Sequence, residues 1–192
     1  MEERHEILFE PIQLGPKVMK NRFCQVPQCN GTGSDRPQGQ AAHRGLKAEG
    51  GWGAVFIEYC SIHPEADGVT RISARLWDED DVRNLALTCD SIHEGGALAG
   101  VELYYGGPTT SCQESRSVRK APSQIAGNIE QLTYPQTMDL DDIREVQGHY
   151  VRAAELARRA GFDIVYIYAA HEMLPSEFLS PMFNKRTDEY GG

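Results

Sequence analysis

Residues 141–168 read DDIREVQGHYVRAAELARRAGFDIVYIY, and this stretch decides the fold class. Its first twenty residues space apolar side chains three and four positions apart, as an amphipathic helix does: Ile143, Val146, Tyr150, Ala153, Ala154 and Ala157. Gly161 follows where a helix commonly ends. Residues 162–168 are then almost continuously apolar, as in a strand that is buried on both faces of a parallel sheet. The stretch predicts a helix followed by a buried strand.

The same alternation extends towards the N-terminus. Strand-length apolar runs occur at 22–27, 53–60 and 97–105, and helical patterns occur at about 40–49 and 80–95. Four strands that alternate with three helices predict crossovers and a parallel sheet. Residues 9–23, around Leu14-Gly15-Pro16, predict a β-hairpin ahead of the first parallel strand. We therefore predict an α/β fold with four parallel strands and outer helices.

Four βα steps are half of the eight that close a TIM-type barrel. The polar stretch at 184–192 comes before a fourth outer helix has formed. We therefore expect residues 1–192 to be the N-terminal half of a (β/α)8 barrel domain, truncated before the rest of the barrel. We also expect such a half barrel to be inactive by itself and to associate through exposed sheet edges.

Composition narrows the class of protein. The 192 residues hold 19 Lys plus Arg against 28 Asp plus Glu, a formal net charge of −9, without a basic cluster that would bind nucleic acid. No stretch approaches the roughly 20 apolar residues of a membrane helix, and no signal peptide is visible, so we expect a cytoplasmic protein that does not bind membranes. The cysteines at 24, 29, 60, 89 and 112 form no C-x-x-C pair, and we predict no metal site and no disulfide framework.

Ligands of parallel α/β folds bind at the C-terminal ends of the strands. Here these ends lie at 27–29, 58–60, 102–105 and 168–171, where tyrosines and carboxylates are frequent. This mixture suits a flat conjugated ligand. Tyrosine at a strand end is more often simple packing, so the residue pattern alone leaves both interpretations open.

Four longer motifs carry a family resemblance: NRFCQVPQC at 21–29, GVELYYGG at 100–107, YAAHEMLPSEFLSP at 168–181 and NKRTDEYGG at 184–192. Together they resemble the Old Yellow Enzyme class of FMN oxidoreductases, which are eight-stranded barrels. EYCSI at 58–62, SARLWDEDDVRNL at 73–85 and GFDIVYIYAAH at 161–171 resemble its amine dehydrogenase branch, which includes trimethylamine, dimethylamine and histamine dehydrogenases.

The resemblance implies which cofactors and partners the full-length protein has. FMN is the expected cofactor, and a 4Fe-4S cluster is expected only in the missing C-terminal part. The full-length protein is expected to be a homodimer that takes a small amine as substrate. It is also expected to pass electrons to an acceptor such as an electron-transfer flavoprotein.

The resemblance also implies the residues that bind FMN: Pro27, Gln28, Cys29, Glu58, Tyr59 and Glu102. Cys29 matches the cysteine that bonds covalently to the flavin ring, and a thiolate is nucleophilic enough for this role. The alternative is an ordinary buried cysteine. Glu102 matches the residue that hydrogen-bonds the pyrimidine edge of the flavin, and its alternative is a salt bridge to an arginine.

Catalysis is expected at Tyr168 and His171, where the amine dehydrogenases carry a proton-handling pair. We expect the nearby imidazole to lower the pKa of the phenol. Substrate contacts are implied for Tyr59, Ser73 and Tyr104, and cation–π attraction by Tyr59 suits an ammonium group. Tyr104 stands where the trimethylamine enzyme has a tryptophan.

The resulting prediction is FMN-dependent oxidation of an alkylamine or similar amine. The alternative is an NAD(P)H-dependent ene or dienoyl-thioester reductase of the same class. Met173 stands where the ene reductases have the tyrosine that protonates the alkene, and this difference favours amine oxidation.

Overall fold

A computed structural model describes residues 3–66, 73–108, 110, 115–125 and 134–191. Cys112 lies outside these residues. The strands are β1 (Ile12–Leu14), β2 (Lys17–Met19), β3 (Cys24–Gln25), β4 (Ala54–Ser61), β5 (Ala74–Arg75), β6 (Leu98–Tyr104), β7 (Lys120–Ala121), β8 (Gln136–Thr137) and β9 (Ile164–Ile167). The α-helices are α1 (Pro37–Glu49), α2 (Glu79–Glu94), α3 (Leu140–Ala160) and α4 (Leu174–Phe178), and 3-10 helices span Glu3–Phe9 and Pro64–Ala66.

The central sheet has the strand order β3-β4-β6-β9, and every neighbouring pair in it is parallel. Strands β3, β4 and β6 are each followed by one of the helices α1, α2 and α3. These helices bury apolar side chains against one face of the sheet, where Ala48, Ile92 and Ala157 share a core with Val55 and Val101. The sheet confirms the prediction of four parallel strands with outer helices.

The predicted hairpin is also confirmed. Strands β1 and β2 pair antiparallel, with Ile12 opposite Met19, around a turn in which Gly15 has a φ of 55°. Met19 packs with Ala54 and Phe56 in a second, smaller cluster. The hairpin therefore covers the face of the sheet that the helices leave open, at the N-terminal ends of the strands.

Local chemistry explains where the two long helices begin and end. Asp78 caps α2 and Asp139 caps α3, each within a capping box. Gly161 ends α3 with a φ of 104°, a left-handed conformation that glycine adopts without strain. The predicted helix end at Gly161 is confirmed.

A β-bulge interrupts β4 opposite β6. Phe56 pairs with Gly100, whereas Tyr59 pairs with Glu102, so β4 uses one more residue than β6 over this span. Gly100 and Glu102 lie on one face of β6 because side chains alternate along a strand. The bulge therefore brings Phe56 and Tyr59 to that same face.

Short elements were not predicted from the sequence. They are β5, the parallel pair β7 and β8, and the five-residue helix α4. Each is too short to show a periodic pattern. Strand β3 is also shorter than the predicted run at 22–27, since Pro27 has no N–H to continue the ladder. Among the described residues, no helix combines the length and the apolar character needed to cross a membrane.

Candidate functional site

The C-terminal ends of the parallel strands border an open cavity of about 480 Å³, here called the strand-end groove. Its walls come from the segment after β3, the inner face of β4 and β6, and the end of β9. Its lining includes Val26, Pro27, Phe56, Glu102, Tyr168 and His171. The structure therefore brings together side chains that are far apart in sequence, such as Val26 and His171.

A row of aromatic rings crosses the strand ends beside this groove. The ring centroids of Tyr59 and Tyr104 are 5.1 Å apart, and those of Tyr104 and Tyr168 are 6.3 Å apart. The imidazole of His171 continues the row, 5.6 Å from the Tyr168 ring. Tyr104 is only 5% exposed, so its ring lies beneath the surface, between the rings of Tyr59 and Tyr168.

Tyr168 and His171 are joined by a hydrogen bond of 2.6 Å between the phenol oxygen and Nδ1. His171 and Glu172 both have left-handed backbones, with φ of 51° and 60°. Non-glycine residues rarely adopt this conformation, and such strain clusters at functional sites. The two residues turn the chain sharply after β9, and this turn places the imidazole against the phenol.

The expected pKa of Tyr168 was wrong in direction. Burial raises the pKa of the phenol, and the negative charge of Glu102 raises it further. The nearby imidazole does not offset these two effects. Tyr168 is therefore a protonated hydroxyl in the neutral pH range, able to donate one hydrogen bond and to accept another.

Glu102 is a nearly buried carboxyl group in the middle of the groove. It is 6% exposed, and burial raises its pKa to about 7. Within the described residues no arginine or other donor pairs with it, so the alternative of an arginine salt bridge finds no partner there. A buried carboxyl with open hydrogen-bonding positions suits a ligand that presents N–H groups.

Tyr59 lies between two other predicted site residues. Burial raises the pKa of its phenol, and a neighbouring Cys29 thiolate raises it further, whereas a hydrogen bond with Ser73 lowers it. Ser73 is fully buried and Cys29 is partly buried. Ser73 and Cys29 therefore both lie beside the Tyr59 hydroxyl group, next to the groove lining but not part of it.

Glu58 was expected to contact a cofactor, but its side chain does not line the groove. The β4 bulge places Tyr59, not Glu58, on the inner face. The Glu58 side chain is fully buried and forms an ion pair with Arg44, with Nη2 and Oε2 3.2 Å apart. Gln40 also donates a hydrogen bond to the same carboxylate. Glu58 therefore fixes α1 against the sheet.

Arg44 and Gln40 were missed from the sequence. Both lie on the buried face of α1, four positions apart, where an amphipathic helix normally carries apolar residues. Polar residues at these two positions were the signal that could have found them. Gln28 is exposed, and its carbonyl accepts a hydrogen bond from Arg44.

Known proteins are similar to this chain over almost its whole length. A profile of the NADH:flavin oxidoreductase / NADH oxidase family matches residues 7–192. Dimethylamine dehydrogenase from Hyphomicrobium sp. (strain x) is 49% identical over 195 residues, an alignment that covers 98% of this chain and 26% of the relative. The chain therefore spans about a quarter of that relative's length.

Two solved structures show how widely the fold is shared. Histamine dehydrogenase from Rhizobium sp. 4-9 matches with a TM-score of 0.93 at 39% identity, covering 99% of this chain and 28% of that structure. An Old Yellow Enzyme homologue from Zymomonas mobilis matches with a TM-score of 0.86 at 26% identity, covering 96% of this chain and 54% of that structure. The α/β half barrel is thus the N-terminal portion of larger folds.

Proposed function

Since the chain belongs to the NADH:flavin oxidoreductase / NADH oxidase family, we propose that the full-length protein uses FMN to oxidise an alkylamine or similar amine. The observation that carries this proposal is the 2.6 Å hydrogen bond between Tyr168 and His171 at the groove. The 49% identity to dimethylamine dehydrogenase supports the choice of an amine over an alkene. Met173, at the start of α4, supports it as well.

The groove residues fit a flavin. When bound, FMN would supply the acceptor for the two electrons that leave the amine. The Glu102 carboxyl lacks a partner among the described residues and lies beside the open cavity, so it would hydrogen-bond the polar edge of the ring system. Pro27 and Gln28 would border the ring on the side of β3. Glu58 would not contact it, since its carboxylate pairs with Arg44 on α1.

We further propose that Cys29 bonds covalently to the cofactor. Its sulfur lies beside the Tyr59 hydroxyl group, and Cys29 is not part of the apolar core. This position makes the alternative of an inert packing cysteine less consistent with the geometry. Ser73 would hold Tyr59 in place through their hydrogen bond.

The aromatic row supplies the amine site in this proposal. Tyrosine ring faces attract a substituted ammonium through cation–π contacts worth about 0.5–2 kcal/mol each. Tyr59 is the more exposed ring, and Tyr104 lies below it as the floor. Tyr168 would relay a proton: its hydroxyl gives a proton to His171 Nδ1 while it takes one from the substrate nitrogen. This relay needs no free phenolate, which agrees with the raised pKa.

Electrons would then leave through a 4Fe-4S cluster outside residues 1–192 to an acceptor such as an electron-transfer flavoprotein. The full-length protein would be a cytoplasmic homodimer. These proposals rest on the resemblance to amine dehydrogenases described above.

Steady-state assays of the full-length protein test the reaction. Trimethylamine, dimethylamine and histamine would each be offered with an artificial electron acceptor, and an enone would be offered with NADH or NADPH. We expect turnover with at least one amine and none with the enone. Enone reduction without amine turnover would instead support the ene reductase alternative. The similarity to the Old Yellow Enzyme homologue from Zymomonas mobilis is the observation that favours this alternative.

A denaturation experiment tests the covalent link separately. The full-length protein would be unfolded and filtered, and the mass of the polypeptide would be measured. We expect the flavin to remain on the peptide that contains Cys29, and Cys29→Ala to release it. Complete release from the unmodified protein would reject the link but leave the amine reaction open.

A further inference from the structure

Arg44 is an arginine whose side chain is fully buried, and it lies on α1 directly behind the segment that carries Cys29. Burying a guanidinium is costly unless its donors are paired. Nη1 donates to Gln25 Oε1 at 3.0 Å, and Nη2 donates to the backbone carbonyl of Gln28. The side chain therefore binds the end of β3 and the residue immediately before Cys29.

The residue after Cys29 is held by the same helix. Asn30 Nδ2 lies 2.8 Å from Gln40 Oε1 and 2.9 Å from His43 Nδ1. Gln40 also donates to Glu58, the ion-pair partner of Arg44. Helix α1 thus fixes both neighbours of Cys29, and one connected polar network carries these contacts.

Arg44 also lies near the sulfur itself. Burial lowers the pKa of the Arg44 guanidinium, whereas the nearby negative charges of Glu58 and of a Cys29 thiolate raise it. The arginine is therefore close to the Cys29 side chain as well as to the backbone before it.

We propose that Arg44 is a positioning residue for Cys29: by binding the Gln28 carbonyl and the Gln25 side chain, it fixes the backbone beside the thiol. The sulfur of Cys29 is held in the position of the proposed flavin link as a result. This inference rests on that proposed link. It goes beyond the link by assigning a role to a buried residue on α1.

The test uses full-length protein, prepared both with flavin and without it. Arg44→Lys keeps the charge but lacks the planar fork that binds two acceptors at once. The double variant Arg44→Met with Glu58→Gln removes both buried charges together, so that no unpaired carboxylate is left to unfold the protein. Lys47→Gln, on the same helix, is the matched control for the loss of a positive charge.

Two quantities are measured for each variant. The first is the fraction of bound flavin that stays on the polypeptide after denaturation. The second is the rate of iodoacetamide alkylation at Cys29, at one fixed pH, in the flavin-free protein, with Cys24 as the internal reference. Cys24 is exposed and lies in the same segment. Both thiols fall on one tryptic peptide, so fragmentation of that peptide separates the two sites.

We expect the double variant to bind flavin but to link roughly tenfold less of it, because the charge-assisted hydrogen bonds that hold the segment are lost. The freed segment should also expose the partly buried Cys29, so that it is alkylated faster relative to Cys24. Arg44→Lys should change both readouts in the same direction by a smaller amount, because lysine can still bind one of the two acceptors. Lys47→Gln should change neither readout. If linkage and alkylation in both Arg44 variants equal the wild type, the inference is wrong.

Two other outcomes still test the proposal: failure of the double variant to fold, and absence of linked flavin in the wild type. If the double variant does not fold, as judged by circular dichroism, Arg44→Lys alone decides: unchanged linkage and unchanged alkylation would overturn the proposal. If the wild type carries no linked flavin, the covalent link is rejected, and the alkylation rates still decide whether Arg44 positions Cys29.

Discussion

Burial influences the protonation states of two side chains in the strand-end groove. Glu102 and Tyr168 both lie at strand ends, and burial raises the pKa of each side chain. The groove therefore shifts both side chains towards their neutral, hydrogen-bonding forms. Neutral groups of this kind can orient a polar ring system and pass a proton.

Glu102 should make the stability of the flavin-free protein depend on pH. Its pKa rises from an ordinary 4.5 to about 7, so between these values the folded state binds more protons than the unfolded state. Stability should therefore fall as pH rises through this window, by on the order of 2 kcal/mol. Glu102→Gln should remove this fall.

Thermal unfolding of full-length flavin-free protein at pH 5 and pH 8 measures the effect. Glu155→Gln, at an exposed position of α3, is the matched control and should keep the wild-type pH dependence. If Glu102→Gln and wild type lose the same stability between the two pH values, the buried carboxyl does not titrate as described.

Tyr168 should govern the rate at which the amine reduces the flavin. Tyr168→Phe removes the hydroxyl group that bonds to His171, and general acid–base groups are worth at least about 100-fold in rate. Rapid-mixing measurements should show a loss of that order with an unchanged flavin spectrum. Tyr134→Phe, at an exposed position that does not line the groove, is the control, and an equal loss there would show that Tyr168 has no specific role.

At the scale of elements, the bulge in β4 determines which side chains reach the groove. Strict alternation would place Glu58 on the same face as Phe56, and the extra residue places Tyr59 there instead. Gly100 on β6 makes room for Phe56, because a Cβ at Gly100 would lie 2.5 Å from that ring.

Gly100→Ala should therefore destabilise the protein. The added methyl group would push Phe56 out of place, and overpacking of this kind costs about 1–3 kcal/mol. Gly148→Ala gives the opposite control: this glycine lies within α3 with nothing near its Cβ, so alanine should stabilise by about 0.5–1 kcal/mol. Denaturant midpoints of the full-length variants measure both changes, and a neutral Gly100→Ala would contradict the close packing.

The sequence predicted the long elements because each has a strong period or a continuous apolar run. The αL end at Gly161 and the alternation of strands and helices follow directly from such patterns. The bulge could not be predicted, since it depends on the register between β4 and β6 and not on either strand alone. Glu58 was misplaced for that reason, and Arg44 was missed because its partners lie on other elements.

At the scale of the whole molecule, β9 is the last strand of the sheet as described. Its apolar side chains are exposed on both faces: Val165 by 40%, Tyr166 by 53% and Ile167 by 46%. An apolar edge strand offers unpaired backbone groups to another chain. The fold therefore has a surface suited to further sheet pairing beside β9.

Residues 1–192 expressed alone should self-associate through this edge. Ile167→Lys should reduce the association, because a charged side chain at an edge strand disfavours pairing with another strand. Val151→Lys makes the same change at an exposed position on α3, 61% exposed, and should have no effect. Sedimentation velocity measures the oligomeric state. A monomeric wild-type chain, or equal effects of the two lysines, would contradict the edge-pairing prediction.

Anaerobic mixing of the full-length protein with an amine tests the central claim most directly. The visible absorption of the oxidised flavin would be followed while trimethylamine, dimethylamine or histamine is added without any other electron donor. The amine proposal predicts that at least one of them bleaches the flavin, and that Tyr168→Phe slows the bleaching. Bleaching by NADH or NADPH but by none of the amines, followed by recovery of the absorption on adding an enone, would contradict it.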